Sequence, residues 1–263
     1  MTNRPRKESV DHGVVIEKYM GQNNDFSMII VVVNGKAYPF RTVDRILGSY
    51  EDGLDKVAVG SRSPSVFTGL YMEKVHEKVE RFIRDIGLVN APVFMQGFVD
   101  GDTVRFYDPG LRYPGGEFER MFKAACGKNV FYPLIEFALT GKVSDDHVAL
   151  TQEEIWLNNK TASQVLPALR GGTIACIEGM EAICAHPNVV AAFPRLTVGD
   201  VVEETHDVKQ RFCEIAVVCD SVEELKTIVA WIYRVLKVRD QNGNDMLLHP
   251  PCDSVFKEIM SDI

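Results

Sequence analysis

The stretch that most constrains the fold is Ala91–Glu117, which reads APVFMQGFVDGDTVRFYDPGLRYPGGE. Its first part is rich in β-branched and aromatic residues, which favour strands. Asp100-Gly101-Asp102 interrupts these residues with the side chains that a turn favours. The stretch is therefore predicted to form a β-hairpin, followed by a descending segment rich in glycine and proline.

Two polar residues, Gln96 and Asp108, interrupt the apolar pattern of the hairpin. If the loop is Asp100–Asp102, Val99 pairs with Thr103, and Gln96 and Asp108 project from the same face of the sheet. A two-residue turn in a regular hairpin would place them on opposite faces. We predict the odd-length loop. On spacing alone, the simpler interpretation is that Asp108 caps the turn and Gln96 lies on a solvated face.

The segment Asp108–Arg112, DPGLR, resembles a signature of ATP-grasp ligases, acidic-x-Asn-x-Arg, that follows such a hairpin. The resemblance implies that Asp108 binds Mg²⁺ or Mn²⁺ ions bridging the phosphates of ATP, and that Gln96 completes the metal set. It also implies that Arg112 approaches the phosphates or the substrate. Magnesium takes oxygen ligands, commonly one or two protein carboxylates with phosphates and water. Gly110 stands in place of the Asn, so the second ion lacks a side-chain ligand.

The same resemblance assigns an adenine-binding hinge near the amino terminus. In the family, a Glu-containing segment contacts adenine through its backbone, and Glu17–Met20 is similar to it. The expected contacts are the carbonyl of Glu17 and the N–H of Met20, with Lys18 between them. Asp25 lies where the family often places an acidic residue on the ribose hydroxyls. Surface solubility is the alternative role for Glu17 and Asp25.

The elements before the organising hairpin are predicted from local patterns. The run Ile29–Val33 is so apolar that both faces of its strand must be covered. Asn34-Gly35 is a strong hairpin-turn signal. The predicted elements are the strand 13–20, the strand 26–33, the returning strand 36–40, a loop at 41–56, and a helix opened by Ser63-Pro64 with Ser63 as its cap and His76 exposed.

The elements after the hairpin alternate between helices and short strands. Ser221 and Glu224 resemble a capping box at the start of the last helix. The helix at 130–140 is predicted to turn Leu134, Ile135 and Phe137 inward. The predicted helices are 118–125, 130–140 and 221–236, and the predicted strands are 162–169, 173–177, 196–204, 212–218 and 237–239.

These elements predict an α+β fold with two parts. Residues 1–150 would form half of an ATP-grasp core, with an antiparallel sheet and helices. Residues 151–263 would form a small carboxyl-terminal α/β domain, similar to the one behind the core of carbamoyl-phosphate-synthase-like and biotin-carboxylase-like ligases.

Composition excludes several classes of protein. The net charge of −8 argues against nonspecific nucleic-acid binding. No apolar run approaches the roughly 20 residues of a membrane-spanning helix. The six cysteines form no C-x-x-C pair. We therefore expect a reduced cytoplasmic protein without nucleic-acid or membrane partners.

The function implied by the resemblance is that of an ATP- and Mg²⁺-dependent carboxylate–amine ligase. ATP would phosphorylate a small carboxylate, and an amine would displace phosphate. The alternatives are an enzyme acting on bicarbonate, similar to carbamoyl-phosphate synthase or biotin carboxylase, and a non-catalytic module that binds a partner chain.

The resemblance also implies that this sequence lacks the amino-terminal domains of a full ATP-grasp enzyme. We expect the carboxyl-terminal part of a larger enzyme, a split subunit with a partner chain, or an expressed fragment. Because phosphoryl transfer depends on positioning and electrostatics, we expect the chain to be inactive alone. Homo-oligomerisation is compatible with each of these expectations.

Overall fold

The computed structural model of the protein describes residues 16–18, 20, 24–47, 58–116, 118–205 and 207–249. The strands are β1 Asp25–Val33, β2 Lys36–Leu47, β3 Ala58–Arg62, β4 Ala91–Asp100, β5 Thr103–Gly110, β6 Thr161–Val165, β7 Ala168–Leu169, β8 Gly172–Glu178, β9 Val189–Pro194, β10 Val201–Val202, β11 Cys213–Cys219, β12 Lys237–Asp240 and β13 Leu247–Leu248. The α-helices are α1 Thr68–Lys74, α2 His76–Asp85, α3 Phe118–Cys126, α4 Tyr132–Thr140, α5 Gln152–Ile155, α6 Met180–Ala185 and α7 Val222–Val235.

An eight-stranded antiparallel sheet organises the molecule, in the order β5-β4-β1-β2-β3-β6-β11-β9. Two smaller sheets, β10-β8-β12 and β13-β7, lie beside it in the carboxyl-terminal part of the chain. Helices and antiparallel strands together confirm the predicted α+β class.

The apolar strand β1 is covered on both faces, as its composition predicts. Ile29 and Val31 belong to a cluster that includes Phe122 of α3. Met28 and Ile30 face the other way, into a cluster that includes residues of α1 and α2. β1 is therefore fixed in the interior of the sheet, between β2 and β4.

The turn after β1 is confirmed, but the predicted loop after it is wrong over the residues described. Asn34 and Gly35 both have positive φ, 52° and 79°, as a tight hairpin turn requires. β2 then continues to Leu47, because it pairs with β1 on one side and β3 on the other. This pairing turns Arg41 and Asp44 from expected loop residues into buried strand residues.

Three other local predictions are wrong. Ser63 does not cap a helix: it is buried and its Oγ donates to the Thr42 carbonyl at 2.6 Å, while α1 begins at Thr68. His76 is half-buried, with Nδ1 3.0 Å from the hydroxyl of Tyr71. The apolar residues of α4 are not all inward, since Ile135 is 55% and Phe137 is 39% exposed.

The carboxyl-terminal predictions are confirmed where a strong local signal exists. The Oγ of Ser221 accepts from the N–H of Glu224 at 3.1 Å and caps α7. The strand predicted at 196–204 is reduced to Val201–Val202, and both α6 and β9 were missed.

Strands from both sides of residue 150 pair in the large sheet, and the domain boundary there stays a prediction. The predicted first strand, 13–20, falls largely outside the described residues.

Within the part of the chain that the structure describes, every helix falls short of the length and apolar character needed to cross a membrane.

Asp44 is a buried carboxyl group near the centre of the sheet. It accepts hydrogen bonds from the Ser65 hydroxyl and, at 2.9 Å, from the N–H of Val66. Burial raises its pKa from 3.8 to about 6, against the opposing effect of those hydrogen bonds and of Arg62. The folded protein therefore holds this proton at a pH where the unfolded chain has lost it.

We predict that the unfolding free energy of the wild type falls, relative to that of Asp44→Asn, as the pH rises from about 4 to about 6. Over this range the folded state binds more protons than the unfolded state, so raising the pH favours unfolding. Denaturant unfolding at several pH values measures the difference, with Asp85→Asn at an exposed helix end as the control. Parallel pH curves for the wild type and Asp44→Asn would contradict the prediction.

Candidate functional site

The β4–β5 hairpin carries the candidate metal ligands, and its register differs from the prediction. Asp100 pairs with Thr103 and Val99 pairs with Val104, so the turn has two residues and the predicted odd-length loop is wrong. A bulge between Gln96 and Gly97 then adds one residue to β5.

The bulge places Gln96 directly opposite Asp108, because Gly97 pairs with Phe106 and Tyr107 is the extra residue. Residues directly opposite in antiparallel strands project from the same face, with Cβ atoms about 4.5–5.5 Å apart. Ser27 of β1 extends the row on the other side of Gln96. The predicted juxtaposition of Gln96 and Asp108 on one face therefore occurs, although by a different route.

The oxygen donors of this pair suit a divalent cation. Gln96 is half-buried and Asp108 is exposed, and neither side chain forms a hydrogen bond with another described residue. Within the described ranges there is no cluster of three or more His, Cys, Asp or Glu side chains positioned for a metal. One amide oxygen and one carboxylate, completed by phosphates and water, is nevertheless a donor set that Mg²⁺ accepts.

Gln96 and Arg112 both line a cavity of about 310 Å³. Arg112 lies just after β5, where its Nη1 donates to the carbonyl of Tyr113 at 3.2 Å. Its guanidinium lies over the ring of Phe94, 5.3 Å from the ring centroid. The structure thus brings Gln96 and Arg112, which the sequence separates by a turn, to one cavity.

The cavity is strongly cationic. Among its described lining residues, five are arginines and one is acidic: Arg41, Arg45, Arg112, Arg195, Arg211 and Glu214. Burial lowers the pKa of Arg41 to about 10, so this side chain remains charged at neutral pH. An anion-binding role is the chemistry that such a lining favours.

Gly116 allows the segment after Arg112 to pass close to β6. Gly116 has a φ of 92°, and a Cβ there would overlap the side-chain amide of Gln164. The backbone N–H of Gln164 in turn donates to the Ser61 hydroxyl at 3.2 Å. Gly115, Gly116 and Gln164 all line the cavity. Gly116 therefore suits this wall of the cavity, through its positive φ and its close approach to Gln164.

The adenine-side candidates lie near the turn of the hairpin. Glu17 and Lys18 are exposed, and the Nζ of Lys18 is 3.9 Å from a carboxylate oxygen of Asp100. Met20 is half-buried, and its carbonyl accepts from Asn24 Nδ2 at 2.6 Å. Asn24 Nδ2 also donates to the Val99 carbonyl at 3.0 Å, which ties this segment to β4. The structure leaves the role of these residues in adenine binding as a prediction.

Asp25 is buried and paired with Arg45, at 3.3 Å. It lies on the same face of β1 as Ser27, since the two are separated by one residue. Burial raises the pKa of Tyr107, and the negative charges of Asp25 and Asp108 raise it further, while Arg45 lowers it. Asp25 and Asp108 thus lie close enough to act on one phenol.

The sequence interpretation missed the carboxyl-terminal contribution to the cavity. Arg195, Arg211 and Glu214 were not singled out, and Arg41 was assigned to a loop. One signal could have found Glu214: it is the single charge in the apolar strand Cys213–Cys219. A charge in a strand of that kind is buried at a cost unless it has partners, and buried paired charges are often found at sites.

Comparison with known proteins supports the fold. Residues 164–240 match the family model described as L-amino acid ligase C-terminal domain 2. A search of curated proteins finds no match. Among solved structures, L-amino acid ligase from Bacillus licheniformis is similar with a TM-score of 0.68 and 17% identity, over 84% of this chain and 52% of that one.

Two further structures are similar at low identity. Phosphoribosylglycinamide synthetase from Anaerococcus prevotii has a TM-score of 0.68 and 14% identity, over 84% of this chain and 54% of its own. The biotin carboxylase domain of Hydrogenobacter thermophilus 2-oxoglutarate carboxylase, in complex with MgADP, ADP and bicarbonate, has a TM-score of 0.58 and 12% identity, over 88% of this chain and 48% of its own. The chain spans about half the length of these structures and shares their fold over that span.

Gly97 permits the bulge that aligns Gln96 with Asp108. A Cβ at this position would lie 2.7 Å from the carbonyl oxygen of Arg105, which is too close for a side chain. We predict that Gly97→Ala destabilises the protein by about 1–3 kcal/mol, since the hairpin must shift to relieve the overlap. Denaturant unfolding measures the change.

Gly69 provides a matched control in an exposed turn of α1, where a Cβ would meet no atom within 4 Å. Gly69→Ala is expected to leave stability unchanged or raise it by up to about 1 kcal/mol, because alanine favours a helix. Equal effects of the two substitutions would show that the bulge does not depend on Gly97.

Proposed function

We propose that this chain forms the metal- and anion-binding part of an ATP-grasp ligase that activates a carboxylate as an acyl phosphate and joins it to an amine. The observation that carries the proposal is the Gln96–Asp108 pair beside a cavity lined by arginines. The match of residues 164–240 to an L-amino acid ligase domain supports a carboxylate and an amine as substrates.

In this proposal, the side-chain oxygens of Gln96 and Asp108 hold Mg²⁺ or Mn²⁺ against the phosphates of ATP. ATP would supply the phosphoryl group, and the metal held by Gln96 and Asp108 would offset its charge during transfer. The substrate carboxylate attacks the terminal phosphorus, ADP leaves, and the amine then attacks the acyl carbon and releases phosphate. Asp108 carries the full negative charge of the pair, so its loss removes more metal affinity than the loss of Gln96.

Arg112 orients the reacting carboxylate in this scheme. Its planar guanidinium can donate two parallel hydrogen bonds to a carboxylate or phosphate. The contact with the ring of Phe94 helps to hold the guanidinium at the cavity that Arg112 lines. Arg112 thus contributes position and positive charge and transfers no proton.

The adenosine end of the nucleotide would lie along Glu17–Met20, with the carbonyl of Glu17 and the N–H of Met20 as adenine contacts. Lys18 lies between them. Asp25 would bind the ribose hydroxyls, and its pairing with Arg45 holds its carboxylate in place for that role. The tie from Asn24 to β4 supports an ordered segment next to the hairpin.

Two other functions have some support. Bicarbonate as the substrate is favoured by the likeness to a biotin carboxylase domain whose structure holds bicarbonate. A non-catalytic module that binds a partner chain is favoured by Gly110, which gives a second metal ion no side-chain ligand, and by the exposed Ile135 and Leu139 of α4. A partner chain carrying the amino-terminal domains, or a second copy of this chain, would fit that alternative.

The location we propose is the cytoplasm. The described cysteines, Cys126, Cys176, Cys184, Cys213 and Cys219, are all free thiols, as a reducing compartment favours.

We predict that Mg²⁺-AMPPNP binds the wild-type chain and that Asp108→Ala weakens this binding by about tenfold or more, because the carboxylate is the charged ligand of the metal. Gln96→Ala is expected to weaken binding by a smaller factor. Isothermal titration calorimetry, with and without Mg²⁺, measures both effects.

Asp102→Ala is the matched control, since Asp102 lies in the turn of the same hairpin and pairs with Lys74 on the surface. Its exposed ion pair with Lys74 contributes little to the stability of the hairpin. Asp102→Ala should therefore leave the nucleotide affinity unchanged within about twofold. Wild-type protein that shows no binding at millimolar nucleotide, or binding that does not depend on Mg²⁺, would contradict the proposed function.

A further inference from the structure

A second cavity lies between the end of β3, the segment before β6 and the start of α7. Its described lining comes from residues 62–66, 156–161 and 221–222. Its volume is about 660 Å³, against about 310 Å³ for the cavity that Gln96 and Arg112 line. Volumes of this size are typical of small-molecule sites. We refer to it as the second cavity.

The second cavity lies on the opposite face of the strands that carry the candidate site. On β2, Arg45 lines the candidate site, whereas the next carboxylate along the strand, Asp44, accepts a hydrogen bond from Ser65 in the wall of the second cavity. On β6, Gln164 lines the candidate site and Thr161 lines the second cavity. Successive side chains of a strand alternate between its faces, so the sheet separates the two cavities.

Part of the lining is apolar and accessible to solvent. Val66 is 40% exposed, and Trp156 is half-buried. Pro64 and Val222 also line the cavity. An indole beside aliphatic side chains is a surface on which a planar ring packs well. A ligand with such a ring would remove this apolar surface from water.

The charged side chains of the lining are cationic. Among the described lining residues, Arg62 and Lys160 are basic and none is acidic. Within the described part of the chain, the Nζ of Lys160 donates one hydrogen bond, to Asp220. Asp220 is 81% exposed, so this ion pair contributes little to stability. The ammonium group has three donors, and a ligand can therefore engage it at small cost.

The charge balance of the second cavity favours a single negative charge on the ligand. Arg62 is buried beside Asp44, whose negative charge opposes the effect of burial on the pKa of Arg62. Asp44 therefore balances Arg62, and Lys160 is left as the cation whose present partner water can replace. One carboxylate matches this single charge, whereas a phosphate brings more negative charge than Lys160 offsets.

We propose that the second cavity binds an aromatic carboxylate, with its ring against Trp156 and its carboxylate on Lys160. The ligand is held by contact and charge alone and undergoes no reaction there. This inference does not rest on the proposed function, because the second cavity shares no described lining residue with the candidate site.

The test uses the full chain and three probes: sodium 2-naphthoate, 2-naphthamide, which lacks the charge, and sodium acetate, which lacks the ring. Isothermal titration calorimetry is expected to show binding of 2-naphthoate, with each of the other two at least about tenfold weaker. The chain has two tryptophans, so ¹H–¹⁵N NMR spectra show two indole N–H signals. 2-Naphthoate is expected to shift the signal of Trp156 and to leave that of Trp231, which packs on His186, unchanged. Trp231→Phe assigns the two signals.

Lys160→Gln is expected to weaken 2-naphthoate binding by about tenfold, because it removes a charge-assisted hydrogen bond, and to leave the affinity for 2-naphthamide unchanged. Lys226→Gln is the matched control. Lys226 is 33% exposed and pairs with Glu223, much as Lys160, 35% exposed, pairs with Asp220. It should change the affinity for 2-naphthoate by less than about twofold.

Trp156→Leu is expected to weaken both naphthyl probes, because it removes the ring on which they pack. Val66→Asp, at an exposed position of the same wall, adds a negative charge and is expected to weaken 2-naphthoate selectively. It keeps the test valid if Trp156→Leu fails to fold.

The outcomes distinguish this inference from the proposed function. Wild-type protein that binds no 2-naphthoate at millimolar concentration overturns the inference, as does equal affinity for 2-naphthamide. A shift of the Trp231 signal in place of that of Trp156, or unchanged affinity in Lys160→Gln, also overturns it. Aromatic carboxylate binding in a chain that binds no Mg²⁺-AMPPNP would contradict the proposed function and leave the second cavity established as a site.

Discussion

Burial of β1 on both faces is the constraint on which the rest of the structure depends. A strand this apolar must lie inside the sheet, so β2 and β4 pair with its two edges. Helices α1 and α2 cover one face and α3 covers the other. On the α3 face, the apolar residues Val31 and Ile29 are followed by Ser27 and Asp25 towards the amino end. The core therefore ends, and the polar cavity begins, along a single strand face.

The parts of the fold that could be predicted from the sequence are those with local signals. The apolar run of β1, the Asn34-Gly35 turn and the Ser221 cap of α7 each depend on a few adjacent residues. The hairpin register is different, because it depends on the turn and on a bulge in the middle of the ladder. The prediction assumed an odd-length loop. The actual even turn plus one bulged residue, Tyr107, has the same parity, so Gln96 and Asp108 share a face after all.

The bulge could not be predicted because its cause is non-local. Gly97 approaches the Arg105 carbonyl too closely for any side chain. Glycine in a strand is compatible with either a bulge or a weakly paired position, and the sequence does not distinguish the two.

The burial of the charged residues of the cavity is also set by non-local pairing. Arg41 falls in the predicted loop at 41–56, whereas it is buried in β2, which pairs with both β1 and β3.

Only part of the candidate site could be predicted, because only part of it lies in one segment of the sequence. The candidate metal residues of the hairpin, Gln96 and Asp108, belong to one continuous segment and could be singled out by resemblance. The cavity of Gln96 and Arg112 is also lined by Arg195, Arg211 and Glu214, which come about a hundred residues later in the chain. No spacing rule connects residues at that separation. Only the pairing of β3 with β6, and of β6 with β11, brings these segments together.

The charge of the cavity is opposite to that of the whole protein. The chain carries a net charge of −8, yet the described lining of the cavity contains five arginines and one glutamate. Desolvation acts against cations held this way, as the lowered pKa of Arg41 shows. The fold therefore maintains a cationic cavity at a cost in stability. An anion that binds only the folded chain offsets that cost by mass action. The electrostatics that would favour an anion in this cavity thus opposes the stability of the folded chain on its own.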